Sequence, residues 1–161
     1  MPKVLIASDH AGFALKDALV ERIRALGYDV EDMGPSSYDG NDDYPDFMTP
    51  LAKRIAASPE TRGVIIGGSG QAEAMCANRV SGVRAAVFCG PRSVTSVLDI
   101  EGDRSEDGYD IVRLPRLHND ANILSIGARF VSEEEADEAV RIFLETPFSG
   151  NARHSRRLAK F

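Results

Sequence analysis

The clearest structural signal in the chain lies at residues 63–78, which read GVIIGGSGQAEAMCAN. The apolar run at residues 63–67 is typical of a strand that is buried on both faces of a parallel sheet. The glycine-rich residues 68–70 predict a tight turn, and a helix is predicted from there to about Asn78. A strand, a short turn and a helix in this order form the repeating unit of parallel α/β sheets.

The same alternation extends in both directions from this stretch. Apolar runs predict further strands at residues 4–7, 28–33, 83–88 and 122–126. Apolar residues at helical spacing predict helices at 11–26, at 48–56, from the Ser132–Glu135 capping box through Leu144, and in the tail at 152–161. The predicted fold class is α/β: a three-layer, Rossmann-like parallel sheet of about five strands with helices on both faces. Residues 1–161 are expected to form one domain, because no repeat or linker divides them.

The composition is that of a globular protein. The chain has 161 residues, of which 43% are hydrophobic and 27% are charged, and its formal net charge is −6. No apolar run approaches the roughly 20 residues that cross a bilayer, and the first residues make a poor signal peptide, so we expect a cytoplasmic location and no membrane partner. The acidic balance argues against a nucleic-acid partner. Cys76 and Cys89 are predicted to be free thiols.

One segment does not fit the alternation. Residues 91–117 show little periodicity, and residues 99–110 carry six acidic residues against one arginine. Such a stretch is most often a solvated excursion on the surface, although a long loop in a compact domain can also form a lid over a binding site. Both interpretations stay open for this segment.

Polar residues lie next to three of the predicted strands. Ser8, Asp9 and His10 follow the first strand, residues 67–70 follow the apolar core of the third, and residues 118–120 precede the fifth. Ligands of open α/β sheets bind beyond the carboxyl ends of the strands. We therefore expect all of these residues to collect at one edge of the sheet.

The glycine loop, residues 67–70, leaves backbone N–H groups bare just before a helix N-terminus. This arrangement binds anions, either a phosphate or an oxyanion that forms during a reaction. It is not a Walker loop, since no Gly-Lys-Ser/Thr follows it, and it is not a dinucleotide fingerprint, since Ala72 and Glu73 stand where further glycines would be needed. Taken alone, a plain glycine turn between a strand and a helix is the better interpretation.

Glu73 falls in the first turn of the helix that follows the glycine loop. A glutamate at this position commonly caps the helix or interacts favourably with its dipole. The alternative role is that of a general base: a carboxylate that the helix N-terminus keeps ionised and that faces a substrate C–H bond.

The three histidines of the chain all lie in polar clusters rather than on an apolar helix face. They are His10, His118 and His154, each beside a charged or amide side chain. An imidazole in such a setting can carry a proton near neutral pH or donate to a phosphate. A metal site is not predicted, because no two histidines have the spacing of metal ligands.

The tail of the chain is basic, with four positive charges and no negative one in its last eleven residues. Arg153 and Arg157 are four residues apart, which places them on one face of a helix. Two guanidinium groups on one face form a fork that suits a phosphate. A solvated basic terminus is the alternative.

Together these motifs resemble the ribose-5-phosphate isomerase B family, part of a wider sugar-phosphate isomerase family that includes galactose-6-phosphate and allose-6-phosphate isomerases. Six motifs occur in the family's order and cover nearly the whole chain. They are Ser8–Phe13 (SDHAGF), Asp43–Asp46 (DYPD), Gly67–Gly70 (GGSG), Ala77–Arg79 (ANR), His118–Asn122 (HNDAN) and Arg153–Arg157 (RHSRR).

The resemblance implies an aldose–ketose isomerase that interconverts ribose 5-phosphate and ribulose 5-phosphate through an enediolate, without a metal or other cofactor. It implies substrate contacts for Asp9, His10, Tyr44 and Asn119, and phosphate ligands in Arg153 and Arg157. It also implies that His118 opens the sugar ring and that the enediolate is stabilised by the backbone amides of Gly68, Ser69, Gly70, Gln71 and Ala72.

Two branches of this family differ in their base: one uses a cysteine just before the glycine loop, and the other uses a glutamate after it. This chain has Gly67 at the first position and Glu73 at the second, so the resemblance and the residues agree on Glu73 as the base. The chain departs from the family pattern in two ways. Ala72 stands where a glycine is usual, and residues 92–117 exceed the usual spacing, which predicts an insertion or lid within the domain.

The resemblance further implies a homodimer whose active sites are shared between subunits, with a tetramer as the alternative assembly. The phosphorylated sugar has alternatives as well, namely a hexose 6-phosphate or an unusual pentose phosphate. A protein that binds a phosphosugar without converting it is the remaining alternative.

Overall fold

The structure, a computed structural model, describes residues 2–98 and 104–161. Its strands are β1 (Lys3–Ser8), β2 (Asp29–Asp32), β3 (Arg62–Gly67), β4 (Ala85–Phe88) and β5 (Ile123–Gly127). Its helices are α1 (Phe13–Ala25), α2 (Pro45–Ala56), α3 (Gln71–Ala77), α4 (Asp110–Asn119), α5 (Glu133–Glu145) and α6 (Ala152–Leu158), and a short 3-10 helix spans His10–Gly12. The predicted α/β fold class is confirmed.

The strands form one parallel sheet in the order β2-β1-β3-β5-β4. The chain runs from β1 outward to β2 and then returns to place β3 on the other side of β1, so the direction of winding reverses between β1 and β3. Such a switch point leaves a crevice at the carboxyl ends of the two strands, where open α/β sheets bind ligands. At this crevice the Asp9 N–H donates to the Ile66 carbonyl (3.2 Å), which extends the pairing past the end of β1.

The central strands are buried on both faces, as their apolar runs predict. Ile6 and Ile66 face one side of the sheet and pack in a core with Leu19 of α1. Leu5 and Ile65, one residue earlier in each strand, face the opposite core beneath α2. Because burying one such side chain contributes about 1.5–3 kcal/mol, the two cores together hold the strands in register.

Helix α4 differs from the sequence prediction, which treated residues 91–117 as a loop. Val112 and Arg116 of this helix are both buried. The Arg116 guanidinium donates to the Ala121 carbonyl (2.6 Å), so a charged side chain occupies an inward-facing position. The loop prediction is wrong over α4 because the inward face carries this arginine and because Pro115, a residue that usually breaks a helix, lies inside it.

The rest of the predicted insertion is a closed excursion between Arg92 and Gly108. The Arg92 N–H donates to the Gly108 carbonyl (2.8 Å), so the chain leaves and returns at one point. Near the return, the guanidinium of Arg113 forms an ion pair with Asp107 (2.5 Å). Part of the acidic stretch is therefore paired rather than solvated, and residues 99–103 of that stretch lie outside the described residues.

Candidate active site

The carboxyl ends of β1 and β3 carry the first group of predicted site residues. Asp9 follows β1 and caps the 3-10 helix, because its Oδ1 accepts from the N–H groups of Ala11 (2.8 Å) and Gly12 (3.2 Å). A Cβ on Gly12 would lie 2.6 Å from the side chain of Ile66, so this turn packs directly on β3. Asp9 is therefore a buried residue whose carboxylate holds the turn in place.

The glycine loop joins β3 to α3 and is attached to the end of β5. Gly70 has a φ of 72°, in the left-handed region, and a Cβ there would lie 3.0 Å from the Gly127 nitrogen, so the position requires glycine. The Ser125 hydroxyl donates to the Gly70 carbonyl (2.6 Å). These constraints hold the loop in one shape and place Gln71 and Ala72 at the N-terminus of α3.

Glu73 lies in the first turn of α3 and is 4% exposed. A Cβ on Gly67 would collide with Glu73 Oε1, so Glu73 in this position leaves no room for a cysteine at residue 67. Burial is the largest influence on Glu73 and raises its pKa; Asp9 adds to the rise, whereas N–H groups of the loop and Arg129 lower the pKa. The sequence predicts that the helix N-terminus keeps this carboxylate ionised, but in the structure burial outweighs that effect.

His10, in the 3-10 helix, is held by Asp42, a residue that the sequence interpretation missed. Its Nδ1 lies 2.7 Å from Asp42 Oδ1, and its backbone N–H donates to the same oxygen (3.1 Å). This side-chain hydrogen bond is the main cause of a raised pKa of His10. Asp42 lies two residues before Tyr44, which is partly buried against the core beneath α2. No local pattern marks the pair, because its members are 32 residues apart in sequence.

Arg129 is a second residue that the sequence interpretation missed. Its guanidinium lies against the glycine loop, since a Cβ on Gly68 would be 3.0 Å from Arg129 Nη1. Its backbone N–H donates to the Gly68 carbonyl (3.1 Å). The positive charge lowers the pKa of both Glu73 and His10, so it stands near the two. The sequence does carry a signal for Arg129. It follows the carboxyl end of β5, as Asp9 follows the carboxyl end of β1, and ligands bind at this edge of the sheet.

Three buried side-chain atoms among the described residues have no hydrogen-bond partner: Ser8 Oγ, Asp42 Oδ2 and Glu73 Oε2. Ser8 ends β1, Glu73 packs on the last residue of β3, and Asp42 binds His10, so all three lie at the carboxyl edge of the sheet. Buried polar atoms are nearly always paired, and exceptions mark places where a ligand or a water completes the bonding. The carboxyl edge is therefore the candidate substrate site.

The second group of predicted residues lies at the opposite edge of the sheet. His118 and Asn119 end α4 just before β5, and the Asn119 carbonyl accepts from Arg84 Nε (3.0 Å) just before β4. The expectation that they join the carboxyl edge is wrong, because residues that precede a parallel strand lie at its amino end. A strand rises about 3.3 Å per residue, so the length of β5 separates His118 from the glycine loop by roughly 15 Å.

Helix α6 lies beside α4 at this amino edge. The rings of His118 and His154 stack with their centroids 4.1 Å apart and 15° between their planes. Arg153 and Arg157 are exposed on α6. Asn151 caps the N-terminus of this helix, because its side chain accepts from the Arg153 N–H (2.8 Å). The structure thus brings His118, Asn119 and the two arginines near one another, and keeps them apart from Glu73.

Within residues 2–98 and 104–161, no three His, Cys, Asp or Glu side chains are grouped so that they could hold a metal ion. Over the same ranges, no helix has the length and apolar character that a membrane crossing needs. Cys76 and Cys89 are free thiols, as predicted.

Comparison with known proteins gives consistent matches. The sequence model of the Ribose/Galactose Isomerase family matches residues 4–99 and 107–161. Ribose-5-phosphate isomerase B of Mycolicibacterium paratuberculosis is 36% identical over 156 residues, which cover 97% of this chain and 87% of that protein. The crystal structure of ribose-5-phosphate isomerase B from Mycoplasma genitalium with bound ribulose-5-phosphate has a TM-score of 0.83 at 34% identity, covering 98% of this chain and 92% of that one. The crystal structure of ribose 5-phosphate isomerase from Thermotoga maritima has a TM-score of 0.82 at 36% identity, covering 98% and 95% of the two chains.

The family match is interrupted at residues 100–106, a shorter stretch than the predicted insertion at 92–117. Helix α4 is inside the matched part, which agrees with its place in the core. The match spans most of the chain, and the relatives have the same fold over nearly their whole length. The chain therefore belongs to the Ribose/Galactose Isomerase family.

Proposed function

We propose that the chain interconverts ribose 5-phosphate and ribulose 5-phosphate, with Glu73 as the base. The observation that carries the proposal is the Glu73 carboxylate: it is buried beside the glycine loop, and its Oε2 has no partner. Membership of the family and the names of the relatives support the class of reaction. The proposed reaction uses no metal or other cofactor, because Glu73 supplies the proton transfer and the backbone amides supply the charge stabilisation. We place it in the cytoplasm, where thiols such as Cys76 and Cys89 stay reduced.

In the proposed step, Glu73 removes the proton from C2 of the open-chain aldose, and the electron pair of the C2–H bond forms a double bond between C1 and C2. The negative charge moves to O1, where the amides of Gly68 to Ala72 stabilise the enediolate. A proton passes from O2 to O1, and Glu73 returns its proton to C1 to give the ketose. The raised pKa of Glu73 suits a group that accepts a proton and then gives it back.

The phosphate is proposed to bind to cations from both groups of residues. His10 and Arg129 lie at the carboxyl edge. Arg129 is close enough to His10 and to Glu73 to lower the pKa of each. Arg153 and Arg157 on α6 supply two exposed guanidinium groups, the side chain best shaped for a phosphate. Binding the phosphate fixes the far end of the sugar and so brings its C1 and C2 to Glu73.

A second copy of the chain is proposed to complete the site, which makes the protein a homodimer with shared active sites. Within one chain His118 and α6 lie at the edge away from Glu73, so one chain alone supplies half of the proposed residues. A cavity of about 460 Å³ opens at the amino edge and is lined by residues that include Arg84, Asn119 and the highly exposed Phe161. A partner's carboxyl edge seated here would meet Asn119, the residue that follows His118. A tetramer of such dimers would keep the same shared site.

The base is tested with Glu73→Gln, which keeps the shape of the side chain and removes its ability to accept a proton. We expect kcat to fall by about 10²–10⁴-fold, the usual contribution of a general base, and exchange of the C2 hydrogen with solvent to be lost. Glu60→Gln is the matched control, because Glu60 is exposed and precedes β3 at the other edge. Turnover of ribose 5-phosphate by Glu73→Gln at the wild-type rate would contradict the mechanism.

A second candidate substrate, a hexose 6-phosphate or an unusual pentose phosphate, is favoured by Ala72 and by the excursion. The thiol of Cys89 at the end of β4 donates to the Ser69 carbonyl (3.3 Å), so the excursion, which begins three residues later, borders the glycine loop. We propose that it helps to decide which sugar phosphate is accepted. Solvent-hydrogen exchange measured with ribose 5-phosphate, galactose 6-phosphate and allose 6-phosphate separates the candidates, and exchange with none would indicate a phosphosugar-binding protein.

A further inference from the structure

The contact between His10 and Asp42 has a geometry that a simple loop anchor does not need. One oxygen of Asp42, Oδ1, meets both the imidazole Nδ1 (2.7 Å) and the backbone N–H (3.1 Å) of His10. The Asp42 side chain is 6% exposed, whereas that of His10 is 30% exposed. The carboxylate is thus withdrawn from solvent, while the imidazole that it holds still reaches the surface of the crevice.

The chemistry of the two groups decides where the protons are. An ionised carboxylate only accepts hydrogen bonds, so Nδ1 of His10 must carry a hydrogen. Nε2 is then the nitrogen left for a ligand, and a second proton there turns it into a charged donor. Asp42 Oδ2 is buried without a hydrogen-bond partner, and within the described residues the ion-pair contact of this carboxylate is with His10. A buried charge is costly unless it is paired, which favours the imidazolium form of His10.

We propose that Asp42 is a positioning residue that keeps His10 as an imidazolium and presents its Nε2–H to the phosphate of the substrate. The inference rests on the proposed function for the identity of that ligand. Asp42 lies in the loop before α2, so the inference gives this loop a part in substrate affinity. The sequence motifs did not single out Asp42.

Three charged groups face His10 and set the sign of the effect. Asp42 raises the pKa of His10 through the hydrogen bond and its charge, Asp9 raises it from the neighbouring position, and Arg129 lowers it from the end of β5. A raised pKa means that the imidazolium persists to higher pH than it would at the ordinary value of 6.5. Phosphate affinity should therefore hold to a higher pH in the wild type and weaken as His10 loses its proton.

The test uses Asp42→Asn in the full chain, with Asp39→Asn as the matched control. Asp39 lies in the same loop, is exposed, and accepts from the Asn41 N–H (2.9 Å), a bond that an asparagine oxygen retains. The chain has 3 histidines, so the His10 signal in a proton NMR titration is identified by its loss in His10→Asn. We expect the pKa of His10 to fall toward 6.5 in Asp42→Asn and to stay unchanged in Asp39→Asn.

Kinetics separate positioning from a merely structural role. In Asp42→Asn we expect KM for ribose 5-phosphate to rise about tenfold near neutral pH, with the rise beginning at lower pH, and kcat to change less than KM. In His10→Asn the variation of KM with pH over this range should disappear. A KM–pH profile in Asp42→Asn that is identical to that of the wild type would overturn the proposal.

Two further measurements keep the inference apart from the proposed function. Inorganic phosphate, added to the wild type during the titration, should raise the pKa of His10 further, and this needs no turnover. If no sugar phosphate is isomerised but this linkage is seen and is weaker in Asp42→Asn, the proposed function fails and the role of Asp42 stands. If Asp42→Asn does not fold, the titration of His10 in the wild type still tests the inference. A pKa of His10 at or below 6.5 contradicts it.

Discussion

The two edges of the sheet hold different halves of the proposed active site. At the carboxyl edge Glu73 is buried, and one side-chain oxygen of each of Ser8, Asp42 and Glu73 is buried without a hydrogen-bond partner. At the amino edge Arg153 and Arg157 are exposed on the last helix. A buried, rigid half suits proton transfer, which needs fixed geometry, and an exposed half suits a group that is offered to another molecule. The difference fits the proposal that the two halves meet between copies of the chain.

The largest expected effect comes from mixing two defective variants. Glu73→Gln disables the carboxyl edge, and His118→Asn disables the amino edge. If sites are shared, a mixed dimer contains one intact site, so random co-assembly should restore about a quarter of the wild-type activity from two nearly inactive proteins. Co-expressed chains with two different affinity tags allow the mixed dimer to be isolated and assayed.

The control for this experiment pairs Glu73→Gln with Arg129→Ala. Both changes affect the carboxyl edge, so every site in that mixed dimer carries one of them, and the mixture should show no more activity than Arg129→Ala contributes by itself. Recovery in this control, or no recovery in the first mixture, would show that the two edges do not form one shared site.

A moderate effect is expected at Arg153 and Arg157, the proposed phosphate ligands of the amino edge. Arg153→Ala and Arg157→Ala should each raise KM about tenfold, with a smaller change in kcat, because each removes a charge-assisted hydrogen bond to the bound phosphate. Arg156→Ala is the comparison variant: it is exposed on the same helix and points about 100° away from Arg157, because consecutive helix residues do not face each other. Steady-state kinetics of the three variants give the answer, and equal KM values in all three would remove α6 from the site.

The smallest expected effect concerns stability at the carboxyl edge. Burial raises the pKa of Glu73 above its ordinary value, so the folded state binds this proton more tightly than the unfolded chain does. The ionised carboxylate therefore costs stability, and this cost is absent below pH 4.5 and grows as the pH rises through the folded pKa. In Glu73→Gln the free energy of unfolding, relative to the wild type, should therefore be higher at pH 7 than at pH 4.

Denaturant unfolding at the two pH values measures this difference, and Glu60→Gln should show no comparable change, since Glu60 is exposed. An unfolding free energy of Glu73→Gln that moves with pH in parallel with the wild type would mean that burial does not govern this carboxylate. The proposed cost of holding the base in place would then be absent.

The fold was largely predictable, and its exceptions have physical causes. The apolar runs at β1, β3 and β5 predict buried strands. The Ser132 capping box at the start of α5 is present as predicted. Helix α4 was missed, because it buries Arg116 rather than an apolar residue at an inward position. A charged side chain that faces the core and a proline inside the helix both argue against a helix when the sequence is considered alone, although Val112 of α4 is buried.

The candidate site was predictable in its chemistry and less so in its arrangement. Glu73 and the glycine loop lie together as their sequence proximity suggests, since the whole group spans one turn and the start of one helix. Asp42 and Arg129 were missed, because their contacts with His10 and Gly68 join segments far apart in the chain. His118 was predicted at the carboxyl edge of the sheet but lies at the amino edge, because it precedes β5 rather than following it.

The residues alone determine the strands, the glycine turn and the kinds of groups available for chemistry, because these depend on neighbours within a few positions of the chain. Which of those groups meet is decided by the tertiary structure. The order of the strands places β3 beside β1 and brings Asp9 to Glu73, and the packing of α2 carries Asp42 to His10. The same topology sends His118 to the far edge. Such contacts depend on how separate segments pack around two shared cores, and that information is not local to any one segment.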